Sequence, residues 1–183
     1  SQIPKEKSMT IRALSSLALL VFAIAPIAGQ DKKELAKETG SSARFDQFKK
    51  LAGEWVSTEK GKDGHDIQVK YKVTAGGSAV VETIFPGSEH EMVTVIHPDG
   101  EDLILTHYCA LGNQPKMRAK TKGDDKKVAF EFTGATNMKS DKDMHMHNVT
   151  FTFVDKDTLK ADWTHYVDGK DGGVVTFELK RKK

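Results

Sequence analysis

Seven histidines and one cysteine are the residues of this 183-residue chain best suited to chemistry, and their spacing decides which chemistry. His145 and His147 stand two positions apart, and His165 lies one short segment further on. His107 stands two positions before Cys109, the single thiol. In an extended strand, residues two apart point to one face, so each of these pairs would share one side of a sheet. Neutral imidazole nitrogens ligate zinc, copper or haem iron, and a thiolate beside an imidazole can be a nucleophile. The same side chains can instead fix the polar end of a ligand, or line a half-polar cavity bonded to Tyr, Asn or water.

Their neighbours decide the face. In 145–154, Val149, Phe151 and Phe153 are apolar while Asn148, Thr150 and Thr152 are polar, which puts His145 and His147 on the buried parity. In 159–167, Leu159, Ala161 and Trp163 alternate with Lys160, Asp162 and Thr164, so His165 is inward as well. Leu103 and Leu105 share a parity with His107 and Cys109. A three-residue loop at 155–157 would set Phe153 opposite Leu159, Phe151 opposite Ala161, Val149 opposite Trp163 and His147 opposite His165. Opposed residues on one face have Cβ atoms about 4.5–5.5 Å apart, near enough to share a ligand. On this reading Met144 and Met146 point to the other face, and Glu82, Glu131, Asp162 and Asp168 form the solvated surface. His107 and Cys109 would be about 6.5–7 Å apart along the strand, too far for direct proton transfer.

The elements that must hold these residues are strands. Residues 43–51 suit one or two helical turns, with Phe45, Phe48 and Leu51 at spacings of three. Beyond them the chain reads as ten short strands at 55–59, 67–74, 78–85, 91–97, 103–109, 116–121, 128–133, 145–154, 159–167 and 174–181. Turn formers such as Ala75-Gly76-Gly77, Pro98-Asp99-Gly100 and Asp171-Gly172-Gly173 separate them. Tight turns require antiparallel neighbours, because parallel pairing needs long crossovers. Ile67, Val69, Tyr71 and Val73 alternate with Gln68, Lys70 and Lys72, so one face is buried and one is wet. A sheet this wide removes its sticky edges by closing, which predicts an all-β, antiparallel up-and-down barrel able to hold a small ligand.

The first thirty residues read as a secretory signal peptide. Met9 is the expected start, followed by Arg12, an apolar run from Ala13 to Ile27 and small residues at Ala28-Gly29. The run falls short of the roughly 20 apolar residues of a membrane-spanning helix, so no stable anchor is expected. Residues 31–43 are then a flexible tether and 44–183 the barrel domain, exported to the periplasm or the extracellular space. Lys5, Lys7, Arg12 and Glu6 in the leader account for the whole formal charge of +2, so the remainder is neutral. A neutral body argues against nucleic acid, which requires clustered basic surface.

Phe48-Lys49-Lys50-Leu51-Ala52-Gly53-Glu54-Trp55, a helical turn running into Gly-x-Trp on the first strand, is similar to the opening of lipocalin-type (calycin) barrels. The strand count is nearer to the fatty-acid-binding and nitrobindin-like branches. The resemblance implies structural roles for Gly53, Trp55 and Arg181: Trp55 plugs the closed end, and Arg181, or else Lys180, packs across it. The resulting expectation is a carrier or sensor for a small apolar or amphipathic molecule, with no catalytic residue and no cofactor assigned. Leu105, Phe151, Phe153 and Trp163 would bury the apolar part, and His107, Cys109, His147 and His165 would meet the polar end. Two other chemistries stay open. One is a transition-metal or haem site on His145, His147 and His165; the other is an enzyme at the barrel mouth using His107 and Cys109.

Overall fold

The structure is a computed structural model that describes residues 42–61 and 64–183. The leader with its start at Met9, and nearly all of the tether, lie outside the described residues. Helix α1 (Ala43–Lys50) precedes ten strands: β1 (Gly53–Lys60), β2 (Asp66–Thr74), β3 (Ala79–Ile84), β4 (Met92–Asp99) and β5 (Asp102–Tyr108), then β6 (Gln114–Lys120), β7 (Lys127–Thr136), β8 (His145–Asp155), β9 (Thr158–Val167) and β10 (Lys170–Arg181). Each strand pairs antiparallel with its sequence neighbours, and β10 pairs back on β1, so the sheet is a closed barrel. The all-β, ten-strand architecture is therefore as the alternation predicted, with boundaries displaced by a few residues.

Helix α1 stands at the end of the barrel where β1 begins. Ser42 caps it by accepting from the Phe45 N–H at 3.2 Å, Asp46 lies in its first turn, and Lys49 and Lys50 close its last. Phe45, Phe48 and Leu51 are buried. Phe48 meets Phe130, Phe151 and Phe153 edge-on, with ring centroids 5.9, 5.2 and 5.1 Å away. Edge-to-face pairs add about 0.5–1.5 kcal/mol each beyond the area they bury. Arg44 fastens the other flank through the carbonyls of Lys120 and Asp124, at 2.7 and 3.0 Å.

Trp55 and Arg181 complete this closed end. The Trp55 indole N–H donates to the Leu51 carbonyl at 2.7 Å, and its ring meets Tyr71 edge-on. The Arg181 guanidinium lies 4.3 Å from the centre of the indole ring and donates to the carbonyls of Lys50 and Ala52 at 2.8 and 2.9 Å. It thus supplies both a cation over an aromatic face and a cap for the negative end of α1. Gly53 must be glycine for two reasons: its φ is +129°, and a Cβ there would lie 3.2 Å from Arg181 Nη1.

Because the chain is a meander, β1, β3, β5, β7 and β9 all run away from the helix, and the connections after them gather at the opposite, open end. Closure is uneven along the axis. β10 pairs with β9 from Lys170 to Lys180, but with β1 only at Trp55–Arg181, Val56–Lys180 and Ser57–Leu179. The seam is zipped near the helix and parted toward the open end.

Candidate functional site

Six of the seven histidines (His65, His90, His107, His145, His147 and His165) lie in the open half; His97, near the end of β4, is in the other half. The apolar residues expected to cradle a ligand are placed otherwise. Leu105, Phe151 and Trp163 are fully buried, and Phe151 and Phe153 pack against Phe48 of the helix. That level of the barrel is filled core.

Above it runs a row of four polar side chains, of which alternation placed Tyr71 and His107 inward but not Glu82 or Thr94. Tyr71 pairs with Glu82, Glu82 with Thr94, and Thr94 with His107, on four consecutive strands. Opposed residues share a face, and all four are buried. Tyr71 donates its hydroxyl to Glu82 Oε1 at 2.5 Å, Thr94 hydrogen-bonds to the Glu82 carboxyl, and Thr94 Oγ1 lies 3.0 Å from His107 Nδ1. Glu82, expected on the solvated face, is thus only 2% exposed. The misplacement has a physical source: β3 reads Ala79-Val80-Val81-Glu82-Thr83-Ile84, apolar on both parities, so alternation could not choose a face. The parity Glu82 shares with Val80 and Ile84, both buried, was the available signal.

Burial sets the charge state of this row. It holds His107 down at about 4, so the ring is neutral near pH 7. It pushes Glu82 up, against the opposing hydrogen bonds from Tyr71 and Thr94, and pushes Tyr71 well above its ordinary value. Thr94 Oγ1 and His107 Nδ1 share a hydrogen bond, while His107 Nε2 has no protein partner. Four buried polar atoms in this region have no protein partner: Glu82 Oε2, His107 Nε2, Trp163 Nε1 and His165 Nδ1. The His107 and Trp163 rings are 4.9 Å apart.

The other histidines depart from the expected register. Phe153–Leu159, Phe151–Ala161 and Val149–Trp163 are opposed as anticipated. The pairing then shifts between Met146 and Asn148, so that Met146, not His147, stands opposite His165. Met146, expected on the other face, packs against the core. His147 is the extra residue of a β-bulge, which breaks the alternation beyond it. The Asn148 side chain accepts from the Phe132 N–H at 2.9 Å, satisfying a donor at the disrupted ladder. His147 stacks on Tyr166 at 3.7 Å and on Phe132 at 4.5 Å, and its Nδ1 is 3.1 Å from His145 Nε2. His145 Nδ1 meets the Asp143 carbonyl at 2.8 Å. His165 lies apart against Gly172, where a Cβ would come within 2.7 Å of its Nε2. Among the described residues no three His, Cys, Asp or Glu side chains converge as a metal requires, so His145, His147 and His165 do not form the metal set left open as an alternative.

Cys109 is no better placed for catalysis. Burial pushes its thiol up, its Sγ lies 4.0 Å from Met92 Sδ, and His107 Nδ1 is engaged by Thr94. A protonated, half-buried thiol is a poor nucleophile.

The accessible space lies where the seam parts. A cleft of about 740 Å³ is lined by Ile67, Phe85, Val175 and Phe177, with His65 and His90 on it as well. Val175 is opposed to Trp163 and Phe177 to Ala161, which makes both inner-face residues, yet Val175 is 40% exposed. The barrel interior therefore meets solvent here. Phe85 adopts φ +56°, a left-handed conformation that is strained for an aromatic residue, and lays its ring edge-on to Phe177 at 6.3 Å. These lining residues, Ile67 on the expected inner parity apart, were not singled out from sequence.

No family model matches the chain, and no curated protein matches it. Among solved structures it is similar to "Crystal Structure of Rv2717c from M. tuberculosis", with probability 1.00, a TM-score of 0.54 and 11% identity, covering 76% of this chain and 98% of that one. At that identity the likeness is one of fold.

Proposed function

We propose that this chain is an exported, calycin-type barrel that binds a small, partly apolar molecule at its open end, as a carrier or sensor. The observation that supports this reading best is solvent-exposed apolar surface on the inner face of the barrel at Val175, beside the half-buried Phe177, in a cleft of about 740 Å³. Ligand pockets are commonly about 300–1,000 Å³ and largely apolar, with a few fixed polar groups. The cleft supplies the apolar wall, and the row ending at His107 stands one strand from Val175 through Trp163. The neutral body disfavours nucleic acid, and a carrier needs no nucleophile.

Titration with the neutral dye Nile red tests this. Saturable binding at one dye per chain is expected, and Val175→Trp, which fills the cleft from a half-exposed position, should abolish it while leaving the unfolding midpoint in place. Unsaturable binding, or equal binding by the folded variant, would overturn the proposal.

A further inference from the structure

Resting on that reading, we infer that Phe85 determines the specificity of the cleft, and that its ring and that of Phe177 form a corner for a flat aromatic ring of the ligand in preference to a saturated ring or chain.

Phe85 is strained where it stands, for two reasons. Its φ of +56° is left-handed, and it precedes Pro86, whose ring pushes the residue before it toward extended backbone. The turn Phe85-Pro86-Gly87-Ser88 is closed by the Ser88 N–H, which donates to the Phe85 carbonyl at 3.1 Å. Glycine at the first place of that turn would adopt the left-handed bend freely. What the bend achieves is orientation. Consecutive strand residues point to opposite faces, and Ile84, 2% exposed, already points inward opposite Val69. The bend breaks that alternation, so Phe85 follows Ile84 to the inner side and lines the cleft with Val175 and Phe177.

Apolar surface alone does not account for this placement. The sheet runs β3, β2, β1, β10, so the contact between Phe85 and Phe177 reaches past two intervening strands at the parted seam. The rings meet at 70° with centroids 6.3 Å apart, and both are half-buried. Two rings set at a steep angle offer a third ring the edge-on and offset packing that aromatic pairs favour. A saturated ligand gains only buried area, which leucine at either position would supply as well. Strained backbone persists where its surroundings enforce it, and ligand clamps are among the places where it gathers.

β-Naphthol and decahydro-β-naphthol share a fused skeleton and one hydroxyl and differ in ring saturation, so their competition against Nile red reads the corner. Naphthol should displace the dye at roughly tenfold lower concentration, the scale of two aromatic contacts. Phe85→Leu and Phe177→Leu keep apolar bulk and remove one ring each. Each should bring the two compounds toward parity, and two independent variants cover the failure of either to fold. Phe85→Gly, relieved of strain, should unfold in urea at a midpoint no lower than that of the unaltered chain while losing the preference. Equal displacement by the two compounds would overturn the corner while leaving the ligand-binding barrel intact. Preference retained in both folded leucine variants, or a lowered midpoint in Phe85→Gly, as for a ring packed only for stability, would do the same. Absence of any saturable Nile red binding would overturn both.

Discussion

The two ends of this barrel are built from the same ten strands and treat polar groups in opposite ways. At the closed end nearly all are matched, Asp102 Oδ1 having the Lys120 ammonium 2.8 Å away as an ion-pair partner only. Trp55 donates to Leu51, Arg181 serves the carbonyls of Lys50 and Ala52, and the Asp102 carboxylate holds Arg118 and Lys120. In the open half, Glu82, His107, Asn113, Trp163 and His165 each bury an atom with no protein partner. Satisfied polar groups hold a fold together; orphaned ones are tolerated where another molecule completes them. On the proposed ligand-binding reading, stability and recognition are segregated along the barrel axis.

The hardest test of that segregation is Trp55→Ala. Removing a fully buried indole should cost about 3–5 kcal/mol of folding stability, measured by urea unfolding, while Nile red affinity of the still-folded fraction stays within a factor of two or so. A parallel loss of binding would break the comparison. The second effect belongs to the open half. His107 titrates at about 4 when folded against an ordinary 6.5, so the unfolded chain takes up its proton first on acidification. Stability is complete above pH 6.5 and declines as pH falls toward 4, by about 3 kcal/mol. His147, also lowered, acts with the same sign, whereas Glu82, raised, loses stabilisation as pH rises and so works in the opposite sense. Urea unfolding of His107→Phe across that window should show a visibly flatter slope; an unchanged slope would remove His107 as its source. The smallest effect is Arg181→Lys, at about 1–2 kcal/mol, because an ammonium cannot stack on Trp55 and cap two carbonyls together. Thermal unfolding checks it, and full retention of stability would mean that the guanidinium geometry is idle.

Much of the fold was legible because alternation is local. Ile67, Val69, Tyr71 and Val73 declared one inner face, and the apolar pairs of the β8–β9 hairpin declared its register as far as Val149 and Trp163. The reading failed where one residue broke the period. Nothing in His145-Met146-His147 signals a bulge, and only Asn148, a side chain able to serve a displaced N–H, hinted at one. Glu82 was lost for the converse reason, in a strand apolar on both faces. The cleft could not be read at all, since it arises from how far β10 stays paired with β1, strands separated by more than a hundred residues.

That short pairing has another consequence. A barrel that closes along its full length has no free strand margin, but here the first half of β10 keeps one, and such margins recruit the strands of other chains. The sequence at this margin is poorly suited to recruitment. It begins Lys170-Asp171, two charges, and continues Gly172-Gly173, where the register with β9 shifts. The features that leave room for His165 also deny a stray strand a straight template, so an opening in the wall coexists with resistance to aggregation.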